Sequence, residues 1–187
     1  MIQNLDDTLK ELLIQKLPNS TQYDIKFELP NGNWEATVQN PTVNFFLYDI
    51  RENLELRSNE TFLQRYGNTG KITREPIRMD FSYMITVWTK EVGDEHCLLG
   101  DILKTLLRYP LIPPEVLKGE MSDLSPPLRA WVSQPERIPN GWEFWSALDV
   151  RLKAGLSYVV TVPVQPFTPT EVPLVTETTV TVRGDNI

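Results

Sequence analysis

The sequence holds one cysteine, Cys97, and one histidine, His96. That scarcity excludes a disulfide framework and any zinc site built from Cys and His alone. It also leaves little for Cys-His or Ser-His nucleophilic catalysis. The two residues are adjacent, so on a helix their side chains diverge by about 100° and do not face each other. Cys97 is therefore expected to be a small buried core residue. No run of 18 apolar residues occurs, and the first seven residues have neither a basic region nor a continuous apolar stretch. The expectation is a soluble cytoplasmic protein without membrane insertion. Lys and Arg are the minority, 18 against 25 Asp and Glu, for a net charge of −7. Nucleic acids and anionic membranes want clustered basic residues, so neither is an expected partner. No metal or cofactor fingerprint is present, so no cofactor and no enzymatic activity are expected.

The residues that are there support a folded domain. At 187 residues and 41% hydrophobic content, one domain with a real core is expected, without metal or disulfide staples. Ile2, Leu5, Leu9, Leu12, Leu13 and Leu17 recur at helical spacing, with Asn4 as a candidate cap and Pro18 as the stop. Tyr23, Ile25, Phe27 and Leu29 alternate as a half-buried strand. Val43–Ile50 and Ile77–Thr89 read as two more strands. Leu99, Ile102, Leu103, Leu106 and Leu107 place a second helix over Asp94–Arg108, its first turn acidic and its end basic. Seven of the 15 prolines lie between 110 and 142, which predicts a winding connection with a short element at Leu128–Val132. A short helix over Trp142–Leu148 and a strand over Tyr158–Val164 follow. Four further prolines introduce a Thr-rich tail in which Val172–Val182 is β-branched, a candidate detached strand. Strands come in runs rather than in regular alternation with helices. The expected class is α+β, a single domain with a mainly antiparallel or mixed sheet flanked by helices and a C-terminal β arm.

The constellations with chemical appeal are weak. Gly67-Asn68-Thr69-Gly70-Lys71-Ile72 departs from a phosphate loop in the spacing of its glycines and in Ile72 after the lysine, and reads as an exposed turn. The carboxylates Asp6, Asp7, Glu11, Asp94, Glu95 and Asp101 sit near helix starts, where acidic residues are favoured anyway. Trp88, Trp142 and Trp145 fit core positions. Trp34 and Trp131 fall in turn-rich regions and are candidates for exposed binding aromatics. The sharpest electrostatic feature is residues 51–78, locally +2 within an acidic chain, with Arg51, Arg57, Arg65, Lys71, Arg74 and Arg78. Arginine suits bidentate carboxylate recognition, so this stretch is a candidate docking surface for an acidic protein partner.

Several blocks taken together resemble a known family. They are Asn40–Asn53 with Glu55-Leu56-Arg57; Pro76–Tyr83 with Thr86-Val87-Trp88; Asp94-Glu95-His96 with Leu98-Leu99-Gly100; and Leu106–Pro110. Trp145-Ser146-Ala147-Leu148 and the strand from Tyr158 to Pro163 complete the set. In order and spacing these are similar to the tail-terminator (cap) proteins of phage-tail-like contractile injection systems. The resemblance implies a tail-terminator-like α+β domain over residues 1–165, followed by a Pro/Thr-rich arm over 166–187. It implies a homo-oligomeric, hexameric ring that ends the inner tube and anchors the last sheath layer, fixing particle length. Sheath and inner-tube proteins are the implied partners. The expected subunit, sheath or tube contacts are Arg51, Glu52, Asn53, Arg57, Arg65, Arg74, Trp131, Val175, Val180 and Val182. The competing expectation is a small-molecule or carbohydrate-binding module that uses Trp34 and Trp131.

Overall fold

A computed structural model describes residues 1–31, 34–134, 145–146 and 152–174. Helix α1 spans Ile2–Lys16, strand β1 Asp24–Lys26, the single turn α2 Trp34–Thr37, and β2 Thr42–Glu52. There follow β3 (Thr61–Tyr66), β4 (Thr69–Arg74), β5 (Ile77–Trp88) and helix α3 (Val92–Arg108). The described elements end with β6 (Arg129–Val132), β7 (Gly155–Val164) and β8 (Thr170–Pro173). The strands form two sheets. The larger has the order β1-β2-β5-β7-β6, antiparallel except for the parallel β1–β2 pair. The smaller has the order β3-β4-β8 and is wholly antiparallel. This is the α+β class that the runs of strands implied.

Both long helices contribute to one core. Leu5, Leu9, Leu12 and Leu13 of α1 are buried in a cluster with Phe81, Tyr83, Ile85 and Val87 of β5. Leu98, Ile102 and Leu106 of α3 join the same cluster. Helix α1 starts at Ile2, so Asn4 lies inside it rather than capping it. The buried stripe of α3 is turned toward Leu98, which leaves Leu107 60% exposed instead of facing in. The same rotation exposes Cys97, against the expectation of a buried cysteine. The proline-rich connection closes the core from the other side of α1. Its Ile112, Val116, Met121 and Leu128 are buried, and the Lys118 amide donates to Thr8 Oγ1 at 3.0 Å. The prolines keep a long helix from forming there, and two short 3-10 turns, Pro114–Val116 and Gly119–Asp123, bury Val116 and Met121.

Strand β1 is shorter than the alternation over residues 23–29 implied. After Lys26 a side chain takes over the ladder: the Glu28 amide donates to Asn44 Oδ1 at 3.0 Å, and Asn44 Nδ2 donates to the Glu28 carbonyl at 2.8 Å. Asn44 is fully buried, and these two bonds satisfy its amide. Between Leu47↔Tyr83 and Asp49↔Ser82, Tyr48 is the extra residue of a β-bulge, which bends β2 toward its end at Glu52. The expected helix over Trp142–Leu148 lies outside the described residues, apart from Trp145 and Ser146, which are helical. Trp145 is buried.

A polar contact ties helix α1 to the sheet: Tyr83 Oη donates to Asp6 Oδ1 at 2.7 Å. Burial raises the Asp6 pKa, the Tyr83 hydrogen bond works against that rise, and the charge of Asp7 adds to it. A carboxyl whose pKa is raised by folding binds its proton more tightly folded than unfolded. Its contribution to stability is then present below the unfolded value and is lost as pH rises through the folded one. Asp6→Asn is expected to remove this pH dependence. Denaturant midpoints of the two proteins should differ in slope with pH just above the ordinary carboxylate range and run parallel well above it.

Candidate assembly interface

The arginine-bearing interlude folds into a hairpin that leaves the main sheet where β2 ends and β5 begins. Strands β3 and β4 are joined by Gly67-Asn68, with Gly67 at φ +60° and Asn68 absent from the left-handed region. That is the pattern of a type II′ turn, which matches the twist of the flanking strands. The sequence carried this signal in Gly-Asn between two runs of six residues, although the stretch read as a charged interlude with one exposed turn. All six residues of β3 are exposed, including Phe62 at 51%, Leu63 at 44% and Tyr66 at 61%. These apolar side chains are the interface candidates that sequence reasoning missed, because β3 alternates too weakly to register as a half-buried strand.

The root of the hairpin is a polar joint. Asn53 is 4% exposed; its Nδ2 donates to both Asp80 carboxylate oxygens at 3.0 and 3.2 Å, and its Oδ1 accepts from the Leu56 amide at 3.1 Å. Thr161 Oγ1 donates to the same Asp80 carboxylate. Asn53 is thus a structural clamp between the end of β2 and β5, and Asp80 extends it to Thr161 of β7. Arg57 grips Glu52 bidentately at 2.6 and 2.6 Å, which holds the Glu52 carboxyl below its ordinary pKa. Arg51 Nε lies 2.5 Å from Asp49 Oδ2. Arg51 and Arg57 are therefore neutralised locally. Arg65 and Arg74 form no salt bridge among the described residues; Arg74 instead stacks over Phe167 at 5.2 Å. Residues 61–74 hold three basic side chains and no acidic one. A cleft of about 430 Å³ at the root is lined by Glu52, Arg57, Thr61, Arg74, Ile77 and Phe167.

The C-terminal arm returns to this hairpin. Strand β8 pairs with β4 through Thr170↔Ile72 to Pro173↔Thr69, so its described part is attached in cis rather than detached. Gly70 leaves room for two leucines over it: a Cβ there would come within 2.6 Å of Leu63 Cδ1 and 3.0 Å of Leu174 Cδ2, side-chain ends that would have to shift. Gly70→Ala is expected to push Leu63 and Leu174 apart and loosen β8. Exchange of the Leu174 amide, which donates to the Asn68 carbonyl at 3.0 Å, should then accelerate while the β3–β4 amides stay protected.

The expected site residues divide accordingly. Arg51, Glu52, Asn53, Arg57 and Arg74 gather at the root, and Arg65 stands on β3. Trp131 lies apart from them on β6, opposite Val159 at the far edge of the main sheet. Val175, Val180 and Val182 lie outside the described residues. Trp34 is 5% exposed, packs edge-on against Trp88 at 4.7 Å and donates from Nε1 to Glu28 at 2.7 Å. It is unavailable for stacking on a sugar, which removes one of the two aromatics a carbohydrate module would need. Among the described residues no group of three or more His, Cys, Asp or Glu side chains is arranged to hold a metal ion. None of their helices is long and apolar enough to cross a membrane.

Residues 4–177 match the family model described as the Pvc16 N-terminal domain. The fold matches the sheath/tube terminator of an extracellular contractile injection system, PVC, in its extended state, with a TM-score of 0.75 at 24% identity. That match covers 100% of this chain and 64% of the other. The tube-terminating cap of the anti-feeding prophage matches with a TM-score of 0.70 at 22% identity, over 95% of this chain and 60% of that one. The chain thus spans less than two thirds of the length of either of these structures' chains. No curated protein matches it.

Proposed function

Because the chain belongs to the Pvc16 N-terminal domain family, we propose that it is a structural cap of a contractile injection system. In this reading it is assembled in the cytoplasm as a hexameric ring at the end of the particle distal to the baseplate. The ring closes the inner tube, anchors the last sheath layer and so fixes particle length. The observation that carries the proposal is the family match over residues 4–177, which takes in both sheets and both long helices. The likeness of the whole fold to two terminators supports it. A ring subunit needs two different contact faces and no active site. The projecting hairpin, with exposed aromatics and with Arg65 and Arg74 outside any salt bridge among the described residues, is suited to be one of those faces, with tube, sheath or a further copy of the chain as its partner. Six copies, each carrying −7, repel one another, so closure has to come from apolar contact and local charge pairing.

Native mass spectrometry of the purified chain, alone and with its tube protein, tests the ring. The expected result is a species at six times 21.6 kDa in at least one of the two samples. A monomer in both would overturn the ring.

A further inference from the structure

We propose that the free edge of β3 is a strand-accepting site, and that its occupant is the segment 175–182 of a second copy of this chain. The proposal rests on the ring reading for its head-to-tail sense. Among the described residues, strand β3 pairs only with β4, and all six of its residues are exposed. The two-residue turn makes Tyr66 and Thr69 a hydrogen-bonded pair, and the alternation then places Phe62 and Gln64 in such pairs as well. The backbone N–H and C=O groups of Leu63 and Arg65 therefore point outward. An edge of this kind, with apolar side chains on it and no proline or bulge to blunt it, is a template for another strand.

The occupant follows from where the chain goes next. Strand β4 runs from the hairpin tip to its root, so the antiparallel β8 runs from root to tip. The Leu174 amide bonds to Asn68 in the turn itself. Leu174, the last described residue, thus lies at the hairpin tip, next to the turn. Residues 175–187, extended at about 3.3 Å each, span up to roughly 43 Å, enough to reach a neighbouring subunit. Val175-Thr176-Glu177-Thr178-Thr179-Val180-Thr181-Val182 is β-branched at every position but Glu177, and its one charge is opposite in sign to the hairpin's Arg65, Lys71 and Arg74. Strand β8, which leads into the donor segment, and the acceptor β3 lie on opposite edges of the same three-stranded sheet. Pairing β8-side donor to β3-side acceptor is heterologous, and repeated around an axis it closes a ring, whereas like-edge pairing would stop at a dimer.

The test is hydrogen exchange at the Leu63 and Arg65 amides of the full chain at low and high concentration. Protection is expected to rise with concentration, slowing exchange by about tenfold or more. The full-length variant Thr179→Pro with Val180→Pro removes N–H groups on both sides of the segment, so one of them faces the acceptor in either register. In that variant the protection should vanish, while Phe62, Gln64 and Tyr66 remain protected as proof that the hairpin is folded. A synthetic peptide of residues 175–187 added to the variant should restore it. Protection independent of concentration would mean that the segment pairs within its own chain, and would overturn the proposal. So would protection unchanged in the proline variant, or none with the peptide in excess. A hexamer by native mass with unprotected Leu63 and Arg65 would leave the ring standing and remove this edge from it.

Discussion

Phe45→Ala is expected to destabilise the isolated chain by about 3–5 kcal/mol, the range for emptying a buried phenylalanine site. Phe45 is fully buried on β2. Its ring stacks on Phe27 at 5.3 Å and meets the edge of Tyr83 at 6.2 Å. Tyr83 in turn holds Asp6 of α1, and Phe27 belongs to the stretch that Asn44 ties to β2. Losing the Phe45 ring removes the surface on which three elements converge, and neighbouring backbone cannot collapse into a gap bounded by a continuous ladder. The midpoint of urea unfolding should fall with its slope unchanged. A loss under about 1 kcal/mol would mean that the aromatic cluster is not the centre of the core.

Reversing Arg65 and Arg74 together to glutamate is expected to weaken docking of the chain onto the proposed tube and sheath partners by tenfold or more, while within the chain it removes only the stacking of Arg74 over Phe167. These side chains have no acidic partner among the described residues, so their charge is available to another molecule. Reversing Arg51 and Arg57 is expected to do less to docking. Each is already matched, by Asp49 and by Glu52, and the substitution mainly breaks those local pairs at the hairpin root. Salt separates the two cases. Screening over about 8–10 Å should weaken the wild-type complex and narrow its difference from the Arg65/Arg74 variant. Co-sedimentation with assembled tube and sheath, at low and high salt, reads both effects. Equal binding by wild type and the Arg65/Arg74 variant at low salt would reject the hairpin as a docking face.

The main sheet and the two helices were legible in the sequence because their burial is one-sided and periodic. Leu5, Leu9, Leu12 and Leu13 trace α1, and Phe81, Tyr83, Ile85 and Val87 trace β5. The rotation of α3 is harder to read, because its five leucines and one isoleucine spread over about half its circumference. Only packing decides that Leu98 goes in and Leu107 stays out. The hairpin escaped notice for the opposite reason. A strand exposed on both faces has no reason to alternate, so β3 carries only its turn as a signal. The arginines were singled out as a charge cluster, but sequence spacing does not distinguish Arg57, five residues from the Glu52 that neutralises it, from Arg74, which stacks over Phe167. Asn53 stood out only as part of a family block. Its role as a buried clamp on Asp80 depends on a contact across 27 residues that no local pattern records.

The central claim, that this chain terminates a contractile particle, is tested most directly by imaging particles assembled with and without it. The account predicts one ring of this protein at the end distal to the baseplate and a narrow length distribution when the chain is present. Without it, tubes and sheaths should end raggedly at variable lengths. Particles of unchanged, uniform length in its absence would contradict the account.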